Sequence, residues 1–235
     1  MRKTDLSCFC LGLFEKSAVC PNGPTHRETV QIESALMQQG GGYLTGTFDL
    51  ESLKGRLRRE CPVPELDKGH PEAAVAIIID PKDRGGSILL IKRTERVGDP
   101  WSGQIAFPGG HKASSDRNFL ETAIREAHEE VGIDLREHEL LGQLPLVYAR
   151  TRRVQVAPFV FQLKTVVIVK SNEEVAEKFW APLSILDLSE VNRTEVKVDE
   201  GKLNVEAYIY GGNTVWGLTF RIINLLLDRK ETSTL

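Results

Sequence analysis

The sequence predicts an α+β fold, an α/β/α sandwich with helices over a central sheet. Three features carry that expectation. Residues 73–79, Ala-Ala-Val-Ala-Ile-Ile-Ile, form an unbroken apolar run of strand length with a β-branched end. Residues 117–131 place Leu120, Ile124, Ala127 and Val131 at helical spacings of four, three and four. Further strand-like segments lie both before and after that helix, which suits a sheet buried by helices rather than a helical bundle.

Residues 1 to about 46 show no sustained period and contain Gly40-Gly41-Gly42, so they read as an irregular extension. Phe48 to Leu57 spaces its apolar positions as a short helix, and Pro62 and Pro64 stop it, giving a helix and linker over 47–69. The globular domain then spans 70–232. Its first strand, 73–79, turns through Asp80 to Gly86, and Ser87 to Ile91 returns. A strand ends at Gln104-Ile105-Ala106-Phe107. Pro108-Gly109-Gly110 then breaks regular structure ahead of the helix at 117–131. Strands follow at 139–148, 154–163 and 174–180, with a short helix at Pro182–Leu186. Lys197 to Ile209 has hairpin character around Glu200-Gly201-Lys202. A helix from Val215 to Asp228, with Leu218, Ile222, Leu225 and Leu226 on one face, closes the domain.

The chain has 235 residues, is 41% hydrophobic and 27% charged, and carries a net charge of −3. That is the make-up of a globular protein with an ample core and no global basic field toward nucleic acid. Cys8, Cys10, Cys20 and Cys61 all precede the globular domain, a distribution that suits a reducing compartment better than a disulfide framework. Their spacing lacks the paired pattern of a zinc site. The basic start at Met1-Arg2-Lys3 with the apolar residues after it faintly resembles a targeting segment. Asp5 and Glu15-Lys16 interrupt it, so it reads as a loose tail. No apolar run is long enough to span a bilayer. The expectation is a cytoplasmic protein, monomer or homodimer, with a small-molecule partner and neither nucleic acid nor membrane.

The densest chemistry is Arg125-Glu126-Ala127-His128-Glu129-Glu130-Val131-Gly132. On a helix Glu126 and Glu130 stack four apart, a like-charge pair that costs about 0.2–0.5 kcal/mol. At 100° per residue, Glu126 and Glu130 lie to one side of the buried stripe with Glu129 further round. Three carboxylates thus project together beside the Gly109-Gly110 turn. Oxygen donors in such a group suit a hard divalent cation, Mg²⁺ or Mn²⁺, completed by waters and substrate phosphates. The competing reading is a solvated acidic face, which such triplets more often are.

The context favours the first reading, because the sequence here resembles the Nudix hydrolases. Their signature is Gly, five residues, Glu, seven residues, then Arg-Glu-aliphatic-x-Glu-Glu-x-Gly-aliphatic. Arg125 to Ile133 match its second half, with Ala127 at the aliphatic position. In the first half, counted from Gly110, the acidic residue is Asp116, and eight residues separate it from Arg125. A longer loop with Asp is also a pattern of the coenzyme A diphosphatase branch. That branch further resembles this chain in Leu89-Leu90-Ile91-Lys92-Arg93-Thr94 and in Gly103 to Gly110. It departs where Gly98-Asp99-Pro100-Trp101 stands in place of a second arginine.

The resemblance implies a Nudix-type α/β/α sandwich with a mixed central sheet and the signature box on a loop and helix. It implies a pyrophosphohydrolase that cleaves the diphosphate of a nucleoside diphosphate linked to another moiety, by attack of a metal-activated water, with coenzyme A a possible substrate. The alternatives are an ADP-ribose or dinucleotide hydrolase and an oxidised-dNTP pyrophosphohydrolase. A binding protein without turnover is disfavoured by the intact glutamates, and RNA-cap hydrolysis by the missing basic stripe. By the resemblance, Glu126, Glu130, Glu129 and the Gly110 carbonyl are the metal ligands, and Arg125, Glu126 and Glu129 the catalytic residues. Arg125 orients a glutamate. The general base stays open between Glu129 and a residue of a later loop.

Arg93, Arg96, Gly109 and Gly110 are the candidate substrate-binding residues. Arg150, Arg152 and Arg153 are further phosphate candidates, since guanidinium forks fit phosphate oxygens. Surface arginine is an equal reading for each arginine. His111 sits next to the box, His128 points away from the carboxylates, and Trp101 or Tyr148 offers a stacking surface. Phe159 reads as core.

Overall fold

The computed structural model describes residues 50–57, 72–82, 85–99, 101–149, 154–188, 190–198 and 201–229. The expected extension, all four cysteines, Pro62, Pro64, Arg150, Arg152 and Arg153 lie outside them.

Helix α1 (Leu50–Arg56) is followed by strands β1 (Glu72–Asp80), β2 (Ser87–Arg93), β3 (Ile105–Ala106) and β4 (Gly109–His111). Helix α2 (Phe119–Val131) and a 3-10 turn (Leu135–Glu137) lead into β5 (Glu139–Gln143), β6 (Val147–Ala149), β7 (Val154–Gln162) and β8 (Val175–Pro182). After helix α3 (Leu183–Leu188) come β9 (Asn192–Val198), β10 (Gly201–Tyr210) and β11 (Asn213–Trp216), then helix α4 (Gly217–Leu226).

The hydrophobic run of β1 lies at the hub of the larger sheet. It pairs in parallel with β7 from Glu72↔Gln155 to Ile79↔Gln162, and antiparallel with β2 and β4. The sheet is therefore mixed, ordered β3-β2-β1-β7-β5, with β4 on β1, β6 on β7 and β8 on β2. Alternate side chains serve two cores. Ile77, Ile79, Ile88 and Leu90 pack with α1 and α4, whereas Ala76, Ile78, Leu89 and Ile91 pack with α2. This is the α+β sandwich expected from the sequence. A second, three-stranded sheet, β11-β10-β9, adjoins α4. Tyr208 of β10 is fully buried there, donating to Asn224 of α4 at 2.5 Å with Phe220 against its ring. No helix among the described residues is long and apolar enough to cross a membrane.

Four sequence expectations are corrected. The Pro108-Gly109-Gly110 segment does not break the structure: Gly109–His111 pairs with β1 at Ala73–Val75. Only glycine allows that approach, since a Cβ on Gly109 would fall 2.3 Å from the Ala74 carbonyl oxygen. The single strand expected at 139–148 is two, β5 and β6, parted at Leu144–Leu146, where Pro145 has no N–H to give a ladder. Val215 and Trp216 belong to β11 rather than to the last helix, because Gly211 and Gly212, at φ 56° and 78°, turn the chain back on β10. On α2 the buried positions are Phe119, Thr122, Ala123, Ala127, Glu130 and Val131, while Leu120 and Ile124 are only half buried.

Candidate active site

Helix α2 begins where Asn118 accepts the Glu121 N–H at 3.0 Å and ends at Gly132, which is left-handed at φ 70°. These caps fix the turn that carries Glu126, Glu129 and Glu130. Its partner is β4, whose Gly109 N–H donates to Glu130 Oε2 at 2.8 Å. The box glutamates and the glycines before them, at opposite ends of the signature, are thus in direct contact.

The glutamates are held unequally. Glu130 is 2% exposed and has one ion-pair partner among the described residues, Arg93 Nη1 at 3.7 Å from Oε1. Glu126 accepts Arg125 Nη1 at 2.8 Å, and Glu129 accepts the same nitrogen at 3.0 Å from a half-exposed position. Arg125 also grips Asp116 and donates to the His111 carbonyl at 3.0 Å. Asp116 takes the Ala113 N–H and the Thr122 hydroxyl as well, which ties the loop down onto the helix.

Burial shapes the electrostatics. Glu130 is pushed up to about 7 by its burial, and the Glu126 and Glu174 carboxylates add to this, against the opposing Gly109 N–H and Arg93. Glu126 is likewise raised by burial despite Arg125. Asp116 goes the other way, held down at about 2 chiefly by the Arg125 hydrogen bonds. The carboxylates of α2 that face β4 therefore carry a charge cost that Asp116 does not.

A hard cation is the group whose chemistry answers that cost. Gly110 supports the fit, because a Cβ there would fall 2.6–2.8 Å from the Glu126 carboxylate, so glycine keeps open the space beside it. The donors are oxygens, as Mg²⁺ and Mn²⁺ prefer. No three described His, Cys, Asp or Glu side chains stand gathered as a finished ligand set. Arg125 holds the Glu126 and Glu129 carboxylates to itself.

The other expected residues divide. Arg93 faces Glu130, yet its second nitrogen is engaged by Asp99 Oδ2 at 3.1 Å. Arg96 is exposed and turned to Glu174 at 3.2 Å, with Glu173 at 4.0 Å. His111 presents its carbonyl to Arg125, while its ring lies 6.2 Å from that of Trp101. His128 is exposed on the far side of α2, and Phe159 is 1% exposed in the core. Tyr148 gives its carbonyl to Arg221 at 2.8 Å.

Two residues escaped the sequence reading. Asp99 neutralises Arg93, and the only hint was an acidic residue in the segment that departs from the branch pattern. Glu174 acts on Glu126 and Glu130 from a loop stitched to both walls: the Asn172 N–H donates to the Glu130 carbonyl, and the Thr94 N–H to the Glu174 carbonyl. No spacing rule reaches it across the intervening strands.

A family model described as the NUDIX domain matches residues 69–200. A protein of Photorhabdus laumondii subsp. laumondii named uncharacterized Nudix hydrolase NudL is 34% identical over 78% of this chain and 99% of its own. One of the same name from Pectobacterium atrosepticum is 32% identical over 76% of this chain and 93% of its own. Among solved structures, a MutT protein from Methanosarcina mazei Go1 is 27% identical over 54% of this chain and 86% of that one, with a TM-score of 0.41.

Proposed function

The chain belongs to the Nudix hydrolases and is a pyrophosphohydrolase, and on that premise we propose a divalent-cation-dependent diphosphatase whose substrate is coenzyme A. The observation that carries the metal is Glu130, a carboxylate 2% exposed beside the half-buried Glu126, with the Arg93 guanidinium 3.7 Å away as its ion-pair partner among the described residues. The Gly109 N–H and Arg93 offset the burial of this carboxylate only in part, and a coordinated metal would offset the rest. In this reading Glu126, Glu130 and the Gly110 carbonyl hold Mg²⁺ or Mn²⁺, with Glu129 joining them or a bound water. When bound, the metal supplies Lewis-acid polarisation of the phosphoryl oxygens and a water of lowered pKa.

The chain's own groups do the rest. Arg125 orients Glu126 and Glu129, and the Gly109 N–H orients Glu130. Glu129, half exposed, is the general base that takes the proton of the attacking water; Glu174 is its alternative. Arg93 binds a phosphate oxygen by leaving Asp99 or by sharing itself between the two. The choice of coenzyme A is supported by the likeness of the Leu89–Thr94 and Gly103–Gly110 segments to the coenzyme A diphosphatase branch.

Asp99 favours the second reading, ADP-ribose or a dinucleotide, because a carboxylate stands where the branch has another arginine. The test is a substrate panel with Mg²⁺ or Mn²⁺: coenzyme A, ADP-ribose, NADH, dinucleoside polyphosphates and dNTPs. The expected result is 3′,5′-ADP and 4′-phosphopantetheine from coenzyme A, with kcat/KM above that for ADP-ribose. Equal or better turnover of ADP-ribose or a dNTP removes coenzyme A. Turnover that survives full chelation removes the metal.

A further inference from the structure

A cavity of about 500 Å³ lies outside the carboxylate cleft and is joined to it through one ion pair. Lys92, Asp99, Ser102, Gly103, Gln104 and Ile105 wall it on one side. Lys197 and Val198 of β9, with Gly212, Asn213, Thr214 and Trp216 around β11, wall it on the other. Asp99 is the link: its Oδ2 holds Arg93 Nη2, and Arg93 Nη1 faces Glu130. One guanidinium separates the cavity wall from the box.

We propose that this cavity is the nucleoside subsite, taking the base and ribose of the substrate while the diphosphate runs past Arg93 toward Glu126 and Glu130. The proposal rests on the diphosphatase reading. Its lining fits a phosphorylated nucleoside in each part. Trp216 offers an aromatic face, and base–aromatic stacking tolerates any base. Gln104 and Asn213 carry amides that match the donor and acceptor edge of a base. Ser102 and Thr214 offer hydroxyls to a ribose. Lys92 and Lys197 supply positive charge; Lys92 is paired with Glu177 at 3.0 Å, while Lys197 is exposed and makes no ion pair among the described residues.

The volume falls in the range of small-ligand pockets and is large enough for a nucleoside. The wall is also built before any ligand arrives. Ser102 Oγ accepts the Arg96 N–H at 2.7 Å, Asp99 Oδ1 accepts the Trp101 N–H at 3.0 Å, and the Gln104 N–H donates to the Trp101 carbonyl at 3.2 Å. A loop fixed in this way loses little further entropy on binding.

The test is calorimetric titration of the full chain, in chelator, with AMP, UMP and their nucleosides, for the wild type, Lys197→Glu and Asn213→Ala. Lys197 is exposed, so its variant keeps the fold, and circular dichroism checks both. Asn213→Ala is expected to weaken nucleotide and nucleoside alike, about fivefold, the effect of one neutral hydrogen bond. Lys197→Glu is expected to weaken the nucleotide about tenfold and the nucleoside little, as for a lost charge-assisted contact. Absence of binding by the wild type overturns the proposal, as does wild-type affinity in both variants. If affinity depends on Lys197 and Asn213 but nothing is hydrolysed with metal, the subsite stands and the diphosphatase reading falls. If hydrolysis is robust and the variants bind as the wild type does, the reverse holds.

Discussion

Arg125 closes on Asp116 with three contacts, Nε to Oδ1 at 3.1 Å, Nε to Oδ2 at 3.3 Å and Nη2 to Oδ2 at 3.0 Å. The two residues stand nine apart in a signature whose usual spacing is eight, yet the pairing survives the longer loop. The extra residue lies between Asp116 and Arg125, where Asn118 starts the helix by accepting the Glu121 N–H at 3.0 Å, while the Ala113 N–H holds the Asp116 carboxylate from the other side. Asp116 is therefore the anchor that aims Arg125 at the glutamates.

Asp116→Asn should cost stability in a pH-dependent way. The folded carboxyl sits at about 2 against an ordinary 3.8, so the folded state binds the proton less well than the unfolded one. The contribution, about 2 kcal/mol, is present above pH 3.8 and lost as pH falls through 2. Urea unfolding at pH 7 should show the deficit, and the two proteins should converge near pH 2. An equal deficit at both pH values would mean that packing, not charge, is responsible.

Glu130→Gln should lower kcat at least ~10²-fold, the scale of a lost transition-state electrostatic contact. Glu137→Gln, on the exposed 3-10 turn, should leave it nearly unchanged. Added Mg²⁺ should raise the Tm of the wild type and of Glu137→Gln but much less that of Glu130→Gln. Identical behaviour of the two variants would return the cluster to a solvated face.

Without metal, Glu130 should make the wild type less stable as pH rises. Its folded value of about 7 lies above the ordinary 4.5, so the folded state holds the proton more tightly. That advantage is complete below pH 4.5 and gone above 7. In chelator, Glu130→Gln should gain on the wild type across this window, and Mg²⁺ should restore the wild type at pH 8. A pH-independent difference in Tm would contradict the burial of the charge.

Gly109→Ala and Gly110→Ala should fail differently. At Gly109 a Cβ meets backbone, the Ala74 carbonyl at 2.3 Å and Val75 Cα at 2.7 Å, so the β1–β4 pairing must open at a cost of about 3 kcal/mol. At Gly110 it meets the Glu126 carboxylate, which can swing aside. Gly110→Ala should melt near the wild type yet lose activity and the Mg²⁺-induced Tm shift. A Gly110→Ala protein with full activity would show that the space beside Glu126 is unused.

The sequence announced β1, β2, β7 and α2 because each has a strong apolar period or run. It also announced Glu126, Glu129, Glu130 and Arg125, whose local spacing sets their geometry on the helix. What it hid depends on distant chain. Gly109 and Gly110 look like a breaker until β1 is there to pair with them. Asp99 has meaning only once Arg93 points at Glu130. Glu174 reaches the cleft through hydrogen bonds from Asn172 and Thr94, which no local pattern encodes. Pro145 and the Gly211-Gly212 turn were visible signals, outweighed by the apolar runs around them.

The parallel pairing of β1 with β7 has a consequence for how the molecule is made. Residues 72–79 find their parallel neighbour only when 155–162 exist. During synthesis β1, β2 and the box helix precede β7 and α4, leaving one edge of β1 with unpaired backbone groups and Ile77 and Ile79 without the α4 side chains that cover them. Such long-range pairing is slow to close and exposes sticky surface meanwhile. The interval between β1 and β7 is then the stretch of synthesis in which a chaperone has the most to shield.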